Sequence, residues 1–458
     1  MAATIGAARP PRRLFLPDRQ AVWRWHFYAG LFCIPFVVWL ALTGTVYLFK
    51  PQVEALIDRP YDGLVPGGPG AVPSAAVAAA LRAVPGSTLV AFEMPRAEGD
   101  AARVIVGVHG DAVRVYVHPA TLGVLKVVRE ESRLERVVFR LHGQLLLGNT
   151  GSVLVELAAS WAIVMIVTGL FLWWPRQAGL AGTLYPRLRG GRRVFWRDLH
   201  AVTGLWISGL ALFLLVSGLP WSFVWGNALQ SARQLSGPAV VEQDWTVGRA
   251  PAIPVPAVVS GDAGGSMPGM DMGPAPQAAG GVSPGLDRVV AAVRPLRLAA
   301  PVLVSPPAAG RSAWTVRSDA QDRVSRTTMS VDPDTGAVTH RQDFADHPMV
   351  DRVVGIGVAA HEGQLFGLAN QLLGLATTSG LVLVGVSAGV LWWRRRPAGA
   401  LGAPPARPQR VPALLPLALA ALGVALPMLG ASMIAVGVAE RLVLRRVPGL
   451  RHWFGLAA

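Results

Sequence analysis

Four histidines carry the chemistry this sequence offers, because they fall into two matched pairs beside long apolar stretches. His26 opens HFYAGLFCIPFVVWLALTG and His200 opens HAVTGLWISGLALFLLVSG. Each is followed by Gly-Leu at the fourth and fifth residues, and by a Thr-Gly or Ser-Gly whose glycine lies 18 residues on. His142 in LHGQLLLG and His361 in HEGQLFG form the second pair, and each precedes a Trp-Trp by 31 residues. One unit is therefore used twice. An ionisable side chain in or at a membrane span is costly enough to argue for a role, and an imidazole at each of four repeated positions suits iron held in haem. The pairing expected is His26 with His200 for one b-type haem and His142 with His361 for a second; one shared haem with two spare histidines fits the same spacing. Gly30 and Gly204, one turn from their histidines, would lower the wall so that a flat macrocycle approaches the backbone.

Other cofactors are limited by what the chain lacks. Cys33 is the only cysteine, so cysteine-ligated iron–sulfur clusters, covalent attachment of haem through CxxCH and disulfides are all excluded. No GxGxxG, Walker loop or hydrolase elbow is present, hence no flavin or nicotinamide site of its own is expected and electrons must come from elsewhere. SMPGMDMG holds Met267, Met270 and Met272 with Asp271; clustered thioethers favour Cu(I), which makes a copper-collecting loop an alternative to plain low-complexity linker.

The elements that must position the histidines are membrane helices. With 458 residues, 52% hydrophobic and 15% charged, the composition is that of a polytopic membrane protein embedded in a lipid bilayer. Apolar runs near the roughly 20 residues needed to cross hydrocarbon place spans at 27–49, within 137–174, at 200–225, within 356–393 and at 411–439. The first is too long for a signal-peptide core and has no cleavage site after Phe49 or Lys50, so it is expected to remain as an anchor. Arginines gather in 1–26, in the loop 175–199 and in 394–410, which the positive-inside rule assigns to the cytoplasm. Topology thus accounts for the net charge of +15, and no nucleic-acid partner is expected. The tail 440–458 resists this scheme: five spans would put Arg441, Arg445, Arg446 and Arg451 outside, unless the last span is re-entrant or the tail binds lipid head groups. Trp173, Trp174, Trp392 and Trp393 read as interfacial anchors.

Two segments, 50–136 and 226–355, then lie outside the cytoplasm. In the first, AVAAALRAV (76–84) reads as a short helix and VIVGVHG and VRVYVHP as strands. In the second, LDRVVAAV, SAWTVRS and MSVDPDTGAVTH repeat that order after a Pro/Gly/Met-rich linker at 250–285. Asp332-Pro333-Asp334-Thr335-Gly336 is a turn with glycine where a positive φ is expected.

These stretches resemble PepSY domains, small α+β modules ending in strand-Asp-Pro-x-Thr-Gly-strand; the first departs from the pattern with His118 for the aspartate and Leu122 before Gly123. With the Trp-Arg and His-x-x-x-Gly-Leu starts, the His-Gly-Gln-Leu and His-Glu-Gly-Gln-Leu segments, and the Trp-Trp-Pro-Arg and Trp-Trp-Arg-Arg-Arg stops, residues 20–396 resemble the PepSY-associated transmembrane family of bacterial inner-membrane proteins, which includes iron-regulated membrane proteins and ferric-siderophore reductases. The resemblance implies a mainly α, polytopic membrane protein: a duplicated four-helix transmembrane bundle plus a fifth C-terminal span, with two small α+β extracytoplasmic modules and a cytoplasmic N-terminus. It implies two b-type haems, a cytoplasmic reductase or quinol as electron donor, and a ferric chelate such as a ferric siderophore as acceptor. The remaining alternatives are copper handling through the Met-rich loop and a non-redox PepSY scaffold that regulates a peptidase.

Overall fold

The computed structural model describes residues 18–65, 70–174, 179–236, 285–308, 310–405 and 414–456. Met267, Met270 and Met272, with the rest of the expected linker except Gly285, lie outside the described residues. In chain order the helices are α1 (Arg19–Leu48), α2 (Lys50–Asp58), α3 (Pro73–Ala83), α4 (Leu134–Gln144), α5 (Gly148–Trp173), α6 (Gly191–Gly218), α7 (Phe223–Ser236), α8 (Gly285–Val293), α9 (Met349–His361), α10 (Leu368–Arg395), α11 (Leu414–Ala425), α12 (Pro427–Ala439) and α13 (Pro448–Trp453). The strands are β1 (Thr88–Glu93), β2 (Ala102–Val108), β3 (Asp111–Val117), β4 (Val124–Arg129), β5 (Val302–Ser305), β6 (Trp314–Ser318), β7 (Thr327–Val331) and β8 (Val338–Asp343). Five helical segments are long and apolar enough to cross a bilayer: Arg19–Leu48, Gly148–Trp173, Gly191–Trp221, Leu368–Arg395 and Pro427–Leu444. A helix suits that solvent because it satisfies its own backbone polar groups.

The chain divides into two units, the first comprising 1–42, 143–241 and 376–458. Here helices approach closely through small residues, as expected where lipid removes the hydrophobic drive between them. A methyl at Gly380 would come to 2.7 Å from Ile207 of α6, and one at Gly385 to 2.7 Å from Val38 of α1. Glu156, buried in α5, caps α7 in trans by accepting the Val224 and Trp225 N–H groups at 2.8 and 3.1 Å. Its carboxylate meets the orphan donors of a helix N-terminus, the one place in such a span that favours a negative charge.

The stretch expected to be one span at 411–439 is two helices. Leu426 leaves helical geometry, with φ −125° and ψ 84°, and a methyl on Gly430 would lie 3.1 Å from Gly423 Cα. In a straight helix residues seven apart are about 10 Å apart, so the chain doubles back at this point. After α12, α13 returns to where the hairpin set out: the Trp453 carbonyl accepts Leu401 N–H at 2.9 Å, and the Phe454 carbonyl accepts the Tyr28 hydroxyl of α1. Arg24, also buried, donates to the carbonyls of Pro404 and Gly455. The basic tail thus sits on the same side of the unit as the start of α1 and the residues following α10, which removes the charge conflict read from the sequence.

The second unit comprises 43–142 and 242–375. Its strands form a single antiparallel sheet in the order β4-β3-β2-β1-β5-β6-β7-β8. The two segments read separately from the sequence are therefore continuous, joined where Phe92 pairs with Val304 and Glu93 with Leu303. α3 and α8 cover one face, burying Val77, Ala80, Leu286 and Val289 against Val104, Val115, Val304, Val316 and Met329. The Asp287 carboxylate of α8 accepts the Ser74 N–H and hydroxyl of α3 at 2.8 and 2.5 Å, tying the two helices together. The two final turns match atom for atom: Asp332 Oδ1 accepts the Asp334 and Thr335 N–H groups, while His118 Nδ1 accepts those of Ala120 and Thr121. Leu122, at φ 58°, takes the left-handed place that Gly336 fills at φ 73°.

Candidate functional site

Each histidine pair comes together within its own unit. In the first unit the rings of His26 (α1) and His200 (α6) lie with centroids 6.4 Å apart and planes at 81°. In the second, His142 (α4) and His361 (α9) lie 6.5 Å apart at 80°. A metal–imidazole bond of roughly 2 Å plus about 1.2 Å from that nitrogen to the ring centre, taken on both sides of one metal, gives about 6.4 Å. Both centroid separations match that sum.

The ring nitrogens fix which atom faces inward. Thr168 spends its hydroxyl proton on the Val164 carbonyl at 2.7 Å, so at 2.9 Å from His26 Nδ1 it must accept. His200 Nδ1 lies 3.1 Å from the Val384 carbonyl, which can only accept, with the Ser387 hydroxyl at 3.4 Å. Both neutral rings therefore carry the proton on Nδ1 and a lone pair on Nε2, an assignment made from the hydrogen-bond network. Metal-ligating histidines are oriented in this way by a partner on the other nitrogen. At the other pair Thr43 Oγ1 lies 3.0 Å from His142 Nδ1.

Two threonine–glycine steps perform the same task. Gly169 follows Thr168, and a methyl on it would stand 3.2 Å from His26 Cε1; Gly44 follows Thr43, and a methyl on it would stand 3.2 Å from His142 Cε1. The hydroxyl holds the ring while its neighbour leaves room for the ring edge. Thr43 and Gly44 are the Thr-Gly that closes the His26 motif, whereas Gly169 and the hydroxyls of Thr168 and Ser387 are not evident from the histidine motifs alone. The repeat contained a signal for two of them: Thr168 and Ser387 stand at the same spacing, 26 residues after His142 and His361.

Gly30 faces Met165, whose Cε would be 3.0 Å from an added methyl, whereas a methyl at Gly204 would meet no atom within 4 Å. Among the described residues no three His, Cys, Asp or Glu side chains converge on a bare ion. Facing histidines, two at a time, instead suit a metal that arrives with its own equatorial ligands, as iron does in haem. The residues present fit that group: at the first pair the Nδ1 partners leave Nε2 as the unprotonated nitrogen, and both pairs have ring-centroid separations that match two metal–imidazole bonds.

Apolar spanning helices and a large extramembrane sheet define a multi-pass membrane protein. The chain belongs to the PepSY-associated TM family: the model of the PepSY-associated TM region matches residues 23–395. No curated protein matches the chain.

Proposed function

We propose that each facing pair holds one b-type haem, and that the chain carries electrons through a bacterial inner membrane to a ferric chelate, such as a ferric siderophore, at the extracytoplasmic face. When bound, haem supplies the one-electron Fe(III)/Fe(II) couple. The observation that carries the reading is the recurrence of one arrangement at two sites: facing imidazoles 6.4 and 6.5 Å apart, with a hydroxyl at Nδ1 in each pair.

His26 and His200 form the inner site, on the side of the Arg24 and Arg394–Arg396 clusters that the charge bias assigns to the cytoplasm. Electrons enter there from a quinol or a cytoplasmic reductase and leave through His142 and His361. Fe(II) binds hard oxygen chelators more weakly than Fe(III), so reduction releases the iron. The test is the oxidised and dithionite-reduced absorption spectrum of detergent-purified protein, with haem quantified as pyridine haemochrome. Two low-spin b-type haems per chain are expected, falling to one in His26→Ala and to one in His361→Ala. Absence of haem after haem-replete expression would overturn the reading.

A further inference from the structure

The outer histidine pair shares a helix with a buried acid pair. Glu135 lies on α4 seven residues before His142, close to two helical turns and so on the same face. Arg133 bridges the Glu54 carboxyl of α2 and the Glu135 carboxyl. Lys50 Nζ lies 2.9 Å from Glu135, and Arg133 reaches Glu54 at 2.8 Å, Glu135 at 2.7 Å and Glu130 at 3.2 Å. Glu130 is shared with Arg114, which also holds Glu93. Beyond Lys50 stand Tyr47 of α1 and Glu362, and farther along α2 Asp58 faces Arg103 and the Tyr116 hydroxyl.

Around the acid pair, Lys50, Arg103, Arg114 and Arg133 face Glu54, Asp58, Asp62, Glu93, Glu130 and Glu135, more carboxylates than the cations can match. Two adjoining carboxylates out of bulk water do not both ionise readily. Burial and Glu135 push the Glu54 carboxyl up to about 8. Burial opposes charge on Glu135 too, but Lys50 and Arg133 outweigh it and hold Glu135 well below the usual carboxylate range. Glu54 keeps 21% of its side chain exposed, so its proton exchanges with water.

We propose that Glu54, bridged to Glu135 by Arg133, is the proton acceptor coupled to reduction at the outer histidine pair. This rests on the reading that His142 and His361 hold a redox haem. Just above pH 8, where Glu54 is ionised before reduction, one electron arriving at that site adds one negative charge, and the Glu54 carboxylate takes one proton from outside water and becomes a neutral acid. When the electron leaves to reduce Fe(III) of the chelate to Fe(II), the proton returns to water. At a protein-like dielectric one charge about 10 Å away shifts a proton affinity about tenfold, or one pH unit.

The sign follows from the charge. Reduction raises the proton affinity of Glu54, so the outer potential falls as pH rises through the range just above 8 where Glu54 ionises, by about 59 mV in all, the tenfold change converted for one electron. Spectroelectrochemical titration of the holoprotein between about pH 6 and about pH 10, roughly four units around that titration, should show this fall at one haem, and Glu54→Gln should abolish it. Infrared spectra give a reading that needs no haem: a protonated carboxyl band at neutral pH that shifts in D2O and is lost in Glu54→Gln. If both haems are present and both potentials ignore pH, or the slope survives in Glu54→Gln, the coupling is wrong while the haem assignment stands. If no haem is present, both fall together.

Discussion

Thr168→Val tests the reasoning about how His26 is held. The substitution keeps the shape of the side chain and removes the acceptor of the His26 Nδ1–H, 2.9 Å away. Two outcomes are open to the ring. It can leave a buried donor unpaired, at a cost of about 1–3 kcal/mol, or it can move the proton to Nε2 and lose the lone pair the iron requires. Both penalise the loaded site. Removing the partner of a metal-bound histidine typically costs about 10–100-fold in affinity, which converts to about 1.4–2.8 kcal/mol and overlaps the first figure. Loss of haem to excess apomyoglobin should therefore quicken for one of the two haems in Thr168→Val, and Thr168→Ser should restore it. Ser387→Ala supplies the contrast: His200 retains the Val384 carbonyl at 3.1 Å, nearer than the serine at 3.4 Å, so its haem should leave at close to the wild-type rate. Equal loss rates in wild type and Thr168→Val, or a Ser387→Ala effect as large as that of Thr168→Val, would refute the argument.

Gly44→Val should unseat the outer haem while sparing the inner one, because even a methyl there would stand 3.2 Å from His142 Cε1; haem content per chain reads the result. The near-perpendicular rings, at 81° and 80°, predict that both oxidised haems give the strongly anisotropic low-spin electron paramagnetic resonance signal of crossed axial imidazoles, and an ordinary rhombic spectrum would contradict the ring geometry. Arg114→Met should destabilise the second unit by less than the ~3–5 kcal/mol of a fully stranded buried charge, since Glu130 keeps Arg133 and Glu93 keeps Arg103 after their shared cation is lost. Denaturant unfolding followed through the sheet's circular dichroism measures that loss.

The histidine pairs were legible because repetition at fixed spacing marks positions that propensity alone does not. Their partners were hidden for a physical reason. Serine and threonine in apolar helices usually bond back to the carbonyl four residues earlier, and Thr168 does so with Val164 even while it accepts from His26. Nothing local separates it from an idle threonine. Gly169 likewise resembles the small residues any membrane helix uses for packing, whereas Thr43 and Gly44 stood within the repeated His26 motif without a sign of what they meet. The junction between the two sheet halves was also beyond sequence reading. β1 and β5 bury consecutive residues, as interior strands of any sheet do, so their burial names no partner, and the pairing of Phe92 with Val304 joins residues separated by two spans. His118 illustrates the opposite case, a departure from pattern that preserves the function: its Nδ1 lone pair accepts the same two turn N–H groups that Asp332 Oδ1 accepts.

The tail shows how a charge rule and a backbone break constrain each other. Counting spans placed Arg441, Arg445, Arg446 and Arg451 on the side that the rest of the chain's arginines avoid. Either the rule or the count had to fail. A run of apolar residues specifies burial in lipid without specifying direction, so α11 and α12 were read as one crossing. What reverses the path is Leu426 leaving helical geometry ahead of Pro427, with Gly423 and Gly430 letting the two backbones touch. Once the chain doubles back, α13 reaches the residues beside the start of α1, and the Gly455 carbonyl helps to solvate Arg24, two residues before His26. The tail thereby packs against the base of the helix that carries His26, and the buried guanidinium it helps to seat leaves positive charge two residues from that histidine.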